Sequence, residues 1–449
     1  MVKEKQSKNS LLQHPILEIK VENILLMNNP EMERMDLENF IPESLNSIIN
    51  EELYVPHYQP IVNAINRKIL GYEVLGRLYS ITHDQFLSLG PYFHGKRFNL
   101  TQKVQVDRII REKAIKYLKN SGNNTKLFFN FMPNILSSVH QDELLDPGRF
   151  HLIQLIEKYE IDRKNIVIEI TEDEFDGKTE RLLMMVNIFR NYGFKIAIDD
   201  MGAGFSNLER IGYIHPDIIK VDIRIMRESL NRTSFRHVLD AISEMSLKLG
   251  SELLFEGIET EKELTLALSM GANLLQGFYF SKAMSEFQNT SLFADDLSII
   301  LEKFGGIRFL ELVEDYSTQQ DLVDHLSSVL ESIEILETET SQVHVSRVEK
   351  ILPSLPSGIL EVFLVDMHGY QLSPSYVHKE DNSWEEDFKH IGNNYAWKPY
   401  FMRHKAEAYY FKKKWGVTKP FYDMEHQLQY VIFTFNLNAN LILIAKVKC

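Results

Sequence analysis

The stretch AIDDMGAG, residues 197–204, determines how the rest of the chain is interpreted. The segment from Lys195 to Ile198 has the composition of a buried β-strand, and it ends on Asp199 and Asp200 before a turn that contains glycine. Similar short apolar segments recur along the chain. These strand candidates are GYEVLGR (71–77), KLFFNFMP (126–133), NIVIEITE (165–172), FKIAIDD (194–200), DIIKVDI (217–223), ELLFEGIE (252–259) and NLLQGFYF (273–280).

Longer amphipathic segments separate these strands and predict helices. They include QVDRIIREKAIKYLKN (105–120), TERLLMMVNIFRNYG (179–193) and SFRHVLDAISEMSLKLG (234–250), the last two ending on a glycine. About 230 residues of alternating strand and helix, from Tyr54 to Ala283, predict an α/β fold of the closed (β/α)8 barrel type. An open doubly wound sheet is the alternative, but it would usually carry a glycine-rich phosphate loop after its first strand.

Polar residues lie at comparable places in successive strands. In a barrel of this type the carboxyl ends of the strands converge on one mouth, so residues far apart in sequence form one cluster. Two carboxylates about 4 Å apart repel by about 4 kcal/mol at an effective dielectric of 20, so the acids must protonate or hold cations. The members of this predicted cluster are Glu73, Asn130, Glu169, Glu172, Asp199, Asp200, Lys220, Glu256 and Gln276.

Carboxylate and amide oxygens without cysteine or histidine favour hard divalent cations such as Mg²⁺ or Mn²⁺. Two such ions, bridged by a carboxylate, activate a water and neutralise the transition state of phosphoryl displacement. The adjacent Asp199 and Asp200 suit such bridging, and Lys220 would place a fixed positive charge beside the water or the phosphorane. The sequence therefore predicts a two-metal phosphoryl site.

Each of these residues also has an ordinary structural interpretation. A single acid at a strand end usually faces solvent, but six successive strands that each carry an acid, an amide or a lysine favour a shared site. Glu172 either caps or pairs with a loop or takes part directly; we favour a role in holding the turn at 199–207. Asp222 lies on the same strand face as Lys220, so it joins the site or pairs with that lysine. We interpret the scattered histidines as surface or core residues.

The composition limits the possible partners. A net charge of −14 argues against a surface for polymeric nucleic acid, and a single cysteine, Cys449, excludes an internal disulfide and fits a reducing cytoplasm. No apolar run reaches the roughly 18 residues of a membrane span. The predicted organisation is a flexible extension (1–37), a barrel domain (38–290) that opens with a short helix over Glu38–Asn50, connecting helices (291–350) and a small α+β domain (351–449).

The motifs in this order resemble EAL domains, the cyclic-di-GMP phosphodiesterases of bacterial signalling. They are YQPIV (58–62), EVLGR (73–77), FNFMP (129–133), IEITE (168–172), DDMGAGFSNL (199–208), KVD (220–222), EGIE (256–259) and QGFYFSKA (276–283). The resemblance implies a TIM-like barrel with an antiparallel first strand and two Mg²⁺ or Mn²⁺ ions that hydrolyse cyclic-di-GMP to its linear form. A catalytically silent cyclic-di-GMP receptor is the alternative.

Roles follow from this resemblance position by position. It implies that Lys220 lies near the nucleophile, that Gln276 assists ligand or water, and that Glu172 and the loop from Asp200 to Leu208 couple site order to dimerisation. Val74, Met201, Ala203 and Ala283 depart from the usual motif residues. The implied metal and water ligands are Glu73, Asn130, Glu169, Asp199, Asp200 and Glu256, and the implied substrate contacts are Gln59, Leu75 and Arg77.

The C-terminal residues resemble a different class of domain. Two segments, VFLVDMHGYQL (362–372) and YAWKPYF (395–401), are similar to the PAS-like or Cache-like domain that follows certain cytoplasmic EAL domains. This resemblance implies either ligand sensing, by a ligand that the sequence does not identify, or a packing domain that dimerises the enzyme. We therefore expect a homodimer.

Overall fold

The computed structural model describes residues 50–81, 83–94, 99–131, 148, 150–171, 179–202, 208–331, 341–423 and 428–448. The predicted extension (1–37) and all but the last residue of the predicted helix over Glu38–Asn50 lie outside these ranges. The chain divides into two compact units, one up to Glu302 and one from Lys303. No helix in the described ranges has the length and apolar character needed to cross a membrane. The predicted domain boundaries stay predictions.

The first unit is built around a closed barrel. Strand β1 pairs antiparallel with both β2 and β9 and closes the barrel, while β2 and β4 to β9 run parallel and β3 extends the outer end of β2 as a hairpin. This confirms the predicted α/β barrel with its antiparallel first strand. The strands are β1 (Tyr54–Asn63), β2 (Ile69–Ser80), β3 (Gln85–Ser88), β4 (Lys126–Phe131), β5 (Ile166–Thr171), β6 (Lys195–Met201), β7 (Ile218–Val221), β8 (Glu252–Phe255) and β9 (Leu274–Leu275).

Helices connect the parallel strands and cover the outside of the barrel. Asn99 and Gln102 form a capping box at the start of the longest of them, and Gly250 ends another in the left-handed conformation, with φ +71°. The helices are α1 (Gly90–His94), α2 (Leu100–Ser121), α3 (His151–Lys158), α4 (Thr179–Asn191), α5 (Leu208–Ile214), α6 (Ile223–Ser229), α7 (Thr233–Leu249) and α8 (Glu261–Ser269), with 3-10 turns at Glu51–Leu53 and Arg163–Asn165.

The apolar residues of the barrel form two layers because strand side chains alternate between the two faces of the sheet. The larger layer lies between the strands and the helices and contains, for example, Val74 and Ile168. The smaller layer fills the barrel interior. It consists of Ile61, Phe128, Val167, Ala197, Ile218, Leu254 and Leu274.

The second unit is an α+β structure, as expected. Its antiparallel sheet has the order β12-β11-β10-β16-β15-β13, and β14 also pairs with β15. The strands are β10 (Ile359–Asp366), β11 (Ser375–His378), β12 (Trp384–Asp387), β13 (Trp415–Val417), β14 (Phe421–Asp423), β15 (Leu428–Asn436) and β16 (Leu441–Lys448). The helices are α9 (Ala294–Glu331), which begins in the first unit, α10 (Ser341–Ile351) and α11 (Pro399–Phe411), with 3-10 turns at Leu352–Ser354 and Phe388–His390.

Both faces of this sheet are covered. Val362 and Leu364 of β10 pack with residues of α9 and α10, whereas Phe363 and Val365 pack on the other face with Phe401 of α11. A turn at Asp366–Gly369 follows β10, since the Gly369 amide donates to the Asp366 carbonyl at 3.0 Å and the glycine has φ +85°. The PAS-like or Cache-like identity stays a prediction.

Candidate active site

The polar cluster at the barrel mouth follows from the same alternation that builds the interior. Each apolar residue of the interior layer is followed, two positions later on its parallel strand, by a polar residue that points inward one level higher. On the antiparallel β1 the order is reversed, and Gln59 precedes Ile61. The polar residues placed in this way are Asn130, Glu169, Asp199, Lys220, Glu256 and Gln276. The sequence prediction that these residues share one mouth therefore has a direct structural basis.

Lys220 lies at the centre of the cluster. This side chain is fully buried, and its Nζ lies 2.8 Å from Glu169 Oε1, 2.9 Å from Asp199 Oδ1 and 2.7 Å from Glu256 Oε1. Glu73 Oε2 lies farther away, at 4.0 Å. One ammonium group thus partly neutralises carboxylates from four other strands or strand ends.

Amide groups hold the carboxylate of Glu73. Asn130 Nδ2 donates to Glu73 Oε1 at 2.7 Å, and Gln276 Nε2 donates to Glu73 Oε2 at 2.7 Å. The same Gln276 nitrogen lies 3.3 Å from Gln59 Oε1, and Gln59 Nε2 lies 3.4 Å from the Ser281 carbonyl oxygen. Because both oxygens of Glu73 accept from neutral donors, its orientation is fixed without a cation at hydrogen-bond distance.

Burial and mutual repulsion shift the acid–base properties of the cluster. Burial, together with the charges of Glu73 and Asp199, raises the pKa of Glu169 well above its usual value, although Lys220 opposes this shift. Burial and the charge of Asp199 likewise raise the pKa of Glu256. Burial also acts against the charge of Lys220, but the surrounding carboxylates outweigh it and hold the pKa of Lys220 well above its ordinary value. The lysine is therefore the permanent cation of the site.

Asp199 and Asp200 differ despite their adjacency. Burial opposes the charge of Asp199, but Lys220 and the Asp200 amide, which donates to Asp199 Oδ1 at 2.9 Å, lower its pKa overall. Burial and the neighbouring Asp199 raise the pKa of Asp200 to about 6. Asp200 has φ +59°, a left-handed conformation that aspartate tolerates better than most residues. The paired aspartates therefore make the turn as well as the charge at this strand end.

The donor set fits a hard divalent cation in its chemistry. Both carboxylate oxygens of Glu169 are buried and have no partner in hydrogen-bond geometry in the described part of the chain, although Lys220 lies at ion-pair distance. Oxygen ligands from carboxylates and an asparagine side chain are those that Mg²⁺ and Ca²⁺ prefer. Over the described part of the chain, however, no three acidic or histidine side chains form a ready-made cation site. In this structure Lys220 occupies the space among the carboxylates.

The predicted substrate contacts lie on the antiparallel pair β1 and β2. Gln59 is opposite Glu73, and Leu75 and Arg77 continue the same face of β2 toward its outer end. Leu75 and Arg77 are half-buried, and Arg77 Nη1 donates to the Gly76 carbonyl at 3.0 Å. These side chains are therefore positioned along one wall that leads away from the carboxylates.

Asp222 has a clear structural function. It is the N-cap of α6, where its Oδ1 accepts from the Arg224 amide at 2.6 Å and from Arg224 Nε at 2.9 Å. The sequence offered two roles for Asp222, membership of the site or pairing with Lys220. The N-cap explains the presence of an aspartate here without either of them. Its role in substrate binding stays a prediction.

Two predicted features lie outside the described residues: Glu172 and the loop residues 203–207. Sequence reasoning also missed one contributor, Arg111 of α2. This buried arginine donates from Nη2 to the Asn130 carbonyl at 3.1 Å and pairs with Asp107 at 2.9 Å. The available signal was an arginine on the apolar face of a helix with an aspartate four residues before it. Arg111 positions the end of β4.

A closed parallel barrel with one antiparallel strand, whose mouth combines carboxylates, amides and one buried lysine, defines the class of protein to which this chain belongs. The protein-family model of the EAL domain matches residues 43–283, and the family model of an EAL-domain associated signalling protein domain matches residues 302–447. The first match alone covers more than half of the chain. The chain is therefore a member of the EAL-domain family.

Individual proteins agree with this assignment. The chain is 31% identical over 366 residues to the uncharacterized EAL-domain containing protein YkuI of Bacillus subtilis, covering 80% of this chain and 86% of that protein. The crystal structure of B. subtilis YkuI in complex with substrate c-di-GMP and calcium matches with a TM-score of 0.80 at 26% identity, over 91% of this chain and 100% of that one.

A relative from another bacterium matches part of the chain. The probable cyclic di-GMP phosphodiesterase PdeG of Escherichia coli is 28% identical over 266 residues, which is 58% of this chain. This chain spans about half of PdeG, 49% of its length.

Proposed function

We propose that the chain is a metal-dependent phosphodiesterase that hydrolyses cyclic-di-GMP to linear pGpG in bacterial second-messenger signalling. The observation that carries this proposal is the mouth itself, where acids, amides and Lys220 from successive strands lie within hydrogen-bond or ion-pair distance of one another. Membership of the EAL-domain family supports it, as does the solved YkuI structure with c-di-GMP and calcium.

In this proposal the mouth binds Mg²⁺ or Mn²⁺ ions, which would activate a water and neutralise charge on the scissile phosphate. Lys220 keeps a positive charge beside the reacting phosphate because its pKa is raised. Asn130 and Gln276 hold the Glu73 carboxylate through their amide groups, and Arg77 offers a guanidinium for a second phosphate. The residues that would hold the cations are Glu73, Asn130, Glu169, Asp199, Asp200 and Glu256.

The remaining parts of the proposal concern assembly and location. We propose a homodimer, supported by an exposed apolar stretch on α9 that includes Ile307, Phe309, Leu310, Val313 and Tyr316. We further propose that the second unit regulates turnover and that the protein acts in the cytoplasm, which suits a chain whose single cysteine is Cys449. Sedimentation that shows only monomer at micromolar concentration would contradict the dimer.

The test of activity is incubation of the purified chain with cyclic-di-GMP and Mg²⁺ or Mn²⁺, followed by chromatographic separation of the products. We expect pGpG from the parent protein and none from Glu73→Ala, because that change removes a carboxylate at the centre of the mouth. The matched control is Glu244→Ala, which removes a carboxylate paired with Lys248 on the exposed face of α7 and should leave turnover unchanged. Near-normal turnover by Glu73→Ala would refute the assignment.

A second candidate function is a cyclic-di-GMP receptor without turnover. The observation that favours it is the position of Lys220, whose Nζ lies within 2.7–2.9 Å of three carboxylates and so competes with a cation for them. Calorimetry with cyclic-di-GMP in the presence and absence of each metal distinguishes the two functions. Tight binding without any product in either metal would establish the receptor.

A further inference from the structure

The second unit contains a cavity of about 180 Å³ between α11 and the strands β13, β14 and β15. Its walls are largely apolar and include Tyr400, Val417, Phe421 and Ile432. The volume is smaller than the roughly 300–1,000 Å³ of sites for drug-sized ligands, so the cavity suits a small metabolite. All of its lining residues belong to the second unit, and none belongs to the barrel mouth.

His404 provides an unpaired hydrogen-bond acceptor in this cavity. The side chain is only 2% exposed, and its Nε2 lies 2.9 Å from Asn436 Oδ1. Because Oδ1 is an acceptor, the proton of the neutral ring is on Nε2, and Nδ1 accepts. Burial lowers the pKa of His404, which keeps the ring neutral. Nδ1 is buried and has no hydrogen-bond partner among the residues that the structure describes, so an O–H or N–H donor from a ligand would satisfy it.

Gly416 brings the backbone of β13 close to this nitrogen. A Cβ atom at this position would lie 3.2 Å from His404 Nδ1 and 3.1 Å from Thr434 Oγ1. The glycine is in β13 and its φ is not positive, so the backbone does not require glycine here. A glycine inside a strand weakens the strand, and such residues often mark close approach by a ligand. The glycine therefore allows β13 to approach the acceptor closely, and a side chain at this position would crowd Nδ1.

The outer part of the cavity carries an excess of positive charge. Arg403 and Lys419 line it and are exposed, and the only carboxylate among the lining residues is Glu407. Glu407 already interacts with two cations: its Oε1 lies 2.8 Å from Arg403 Nε, and its Oε2 lies 3.6 Å from Lys413 Nζ. A negatively charged group on a ligand would therefore be attracted to this end.

We propose that this cavity binds a small organic acid with an apolar body, whose O–H or N–H group donates to His404 Nδ1 and whose carboxylate faces Arg403 and Lys419. The apolar walls hold the body of the ligand between these two polar ends. The acid supplies the donor that the protein lacks at the buried end and the negative charge that the exposed end favours.

Binding to the full-length chain is measured by calorimetry and by saturation-transfer NMR, so the result does not depend on phosphodiesterase activity. The probes are para-hydroxybenzoate, β-hydroxybutyrate and indole carboxylate, which carry both a donor and a carboxylate. Benzoate, butyrate and N-methylindole carboxylate are the respective matched probes that lack the donor. We expect at least one of the first three to bind roughly tenfold or more tightly than its matched acid, since a buried acceptor discriminates against ligands without a donor.

Two variants test the geometry. Gly416→Ala fills the space at Nδ1 and should weaken binding roughly tenfold or more, and His404→Phe removes the acceptor and should abolish the preference for a donor. Gly358→Ala is the matched control, because a Cβ there meets no atom within 4 Å. Failure of all three probes to bind parent protein at millimolar concentration overturns the proposal, as does equal binding by Gly416→Ala. The probe comparison on parent protein remains decisive if a variant fails to fold.

Discussion

The barrel mouth and the cavity under α11 solve the problem of buried polar groups in opposite ways. At the mouth, the charges of Glu169, Asp199 and Glu256 are compensated inside the protein, because Lys220 lies within 2.9 Å of each. In the cavity, the polar group is the neutral ring of His404, and its Nδ1 has no hydrogen-bond partner within the described ranges. One site is held together by charge, whereas the other leaves a hydrogen bond unmade.

This difference teaches how each site is related to the sequence. The mouth repeats one rule, a polar residue two positions beyond an interior residue, so neighbouring strands place their side chains at the same level. The cavity depends on the approach of α11 to β13, and its two defining residues, His404 and Gly416, follow no such period. A repeated strand pattern can be predicted from a single sequence, whereas a contact between a helix and a distant strand cannot.

Removing the central cation is the strongest way to break the mouth. Lys220→Met should destabilise the protein by about 3–5 kcal/mol, because loss of one member of a buried ionic cluster leaves the other charges uncompensated. Urea unfolding in metal-free buffer measures this change. The same substitution should abolish turnover, which the chromatographic assay measures.

Lys248→Met is the control for this experiment. Lys248 pairs with Glu244 at 3.1 Å on an exposed helix face, and such surface pairs contribute about 0–1 kcal/mol. A Lys220→Met variant as stable as Lys248→Met would show that the mouth is not held together by charge.

Much of the barrel and its site could be predicted because backbone geometry alone produces them. Each strand candidate overlaps one of β2 and β4 to β9, although the last candidate (273–280) contains only the two-residue strand Leu274–Leu275. The cluster members that lie in the described residues, such as Asn130, Glu169 and Gln276, converge as the shared mouth requires. Strand alternation also places Val74 in the outer layer and away from the mouth, as its position beside Glu73 implies. These features need only the period of a strand and the parallel order of a barrel.

Other features depend on tertiary contacts that the sequence pattern does not encode. The sequence did not predict that Lys220 Nζ would lie within ion-pair distance of several carboxylates, and its expected place beside the water or the phosphorane stays a prediction. Asp222 caps α6, because a polar residue directly before a helix satisfies the helix amides, and this competes with any part in the site. Arg111 was missed because its partner, the Asn130 carbonyl, belongs to a different element.

Backbone geometry gives a second prediction at the mouth. Gly277 follows Gln276 with φ +155°, and a Cβ there would lie 2.1 Å from the Ile258 carbonyl oxygen. Gly277→Ala should therefore destabilise the protein by about 3 kcal/mol, the upper range for overpacking, and should lower turnover by displacing Gln276. Urea unfolding and the product assay measure the two effects.

A glycine-to-alanine substitution in helix α9 should change the stability in the opposite direction. Gly305 lies within helix α9, and a Cβ there meets no atom within 4 Å. Gly305→Ala should stabilise the protein by about 0.8–1 kcal/mol, because alanine is the better helix former. Equal effects of the two alanines would show that the close backbone approach beside Gln276 does not constrain the mouth.

A pH-dependent effect is expected from two neutral histidines, one in each unit. Burial and the charges of Arg108 and Arg111 lower the pKa of His151 to about 4, and burial lowers the pKa of His404. An unfolded histidine titrates near pH 6.5, so between pH 6.5 and about 4 the unfolded chain binds the proton at position 151 and the folded chain does not. The stability that neutral His151 contributes is thus present above pH 6.5 and is lost as the pH falls through this window.

His151→Gln cannot take up this proton, so the parent protein should lose stability relative to the variant as the pH is lowered from 8 to 5. Urea unfolding of both proteins at constant ionic strength measures the difference, and a difference that does not change with pH would refute the shift. Parent protein should likewise lose stability relative to His404→Phe as the pH falls, because burial also holds His404 neutral. If an organic acid that donates to Nδ1 binds the folded cavity, a saturating concentration of the probe should make the stability of parent protein depend more steeply on pH, since the donor bond requires an unprotonated ring at position 404. The difference in stability between parent protein and His151→Gln should not change on addition of the probe, because both proteins contain His404.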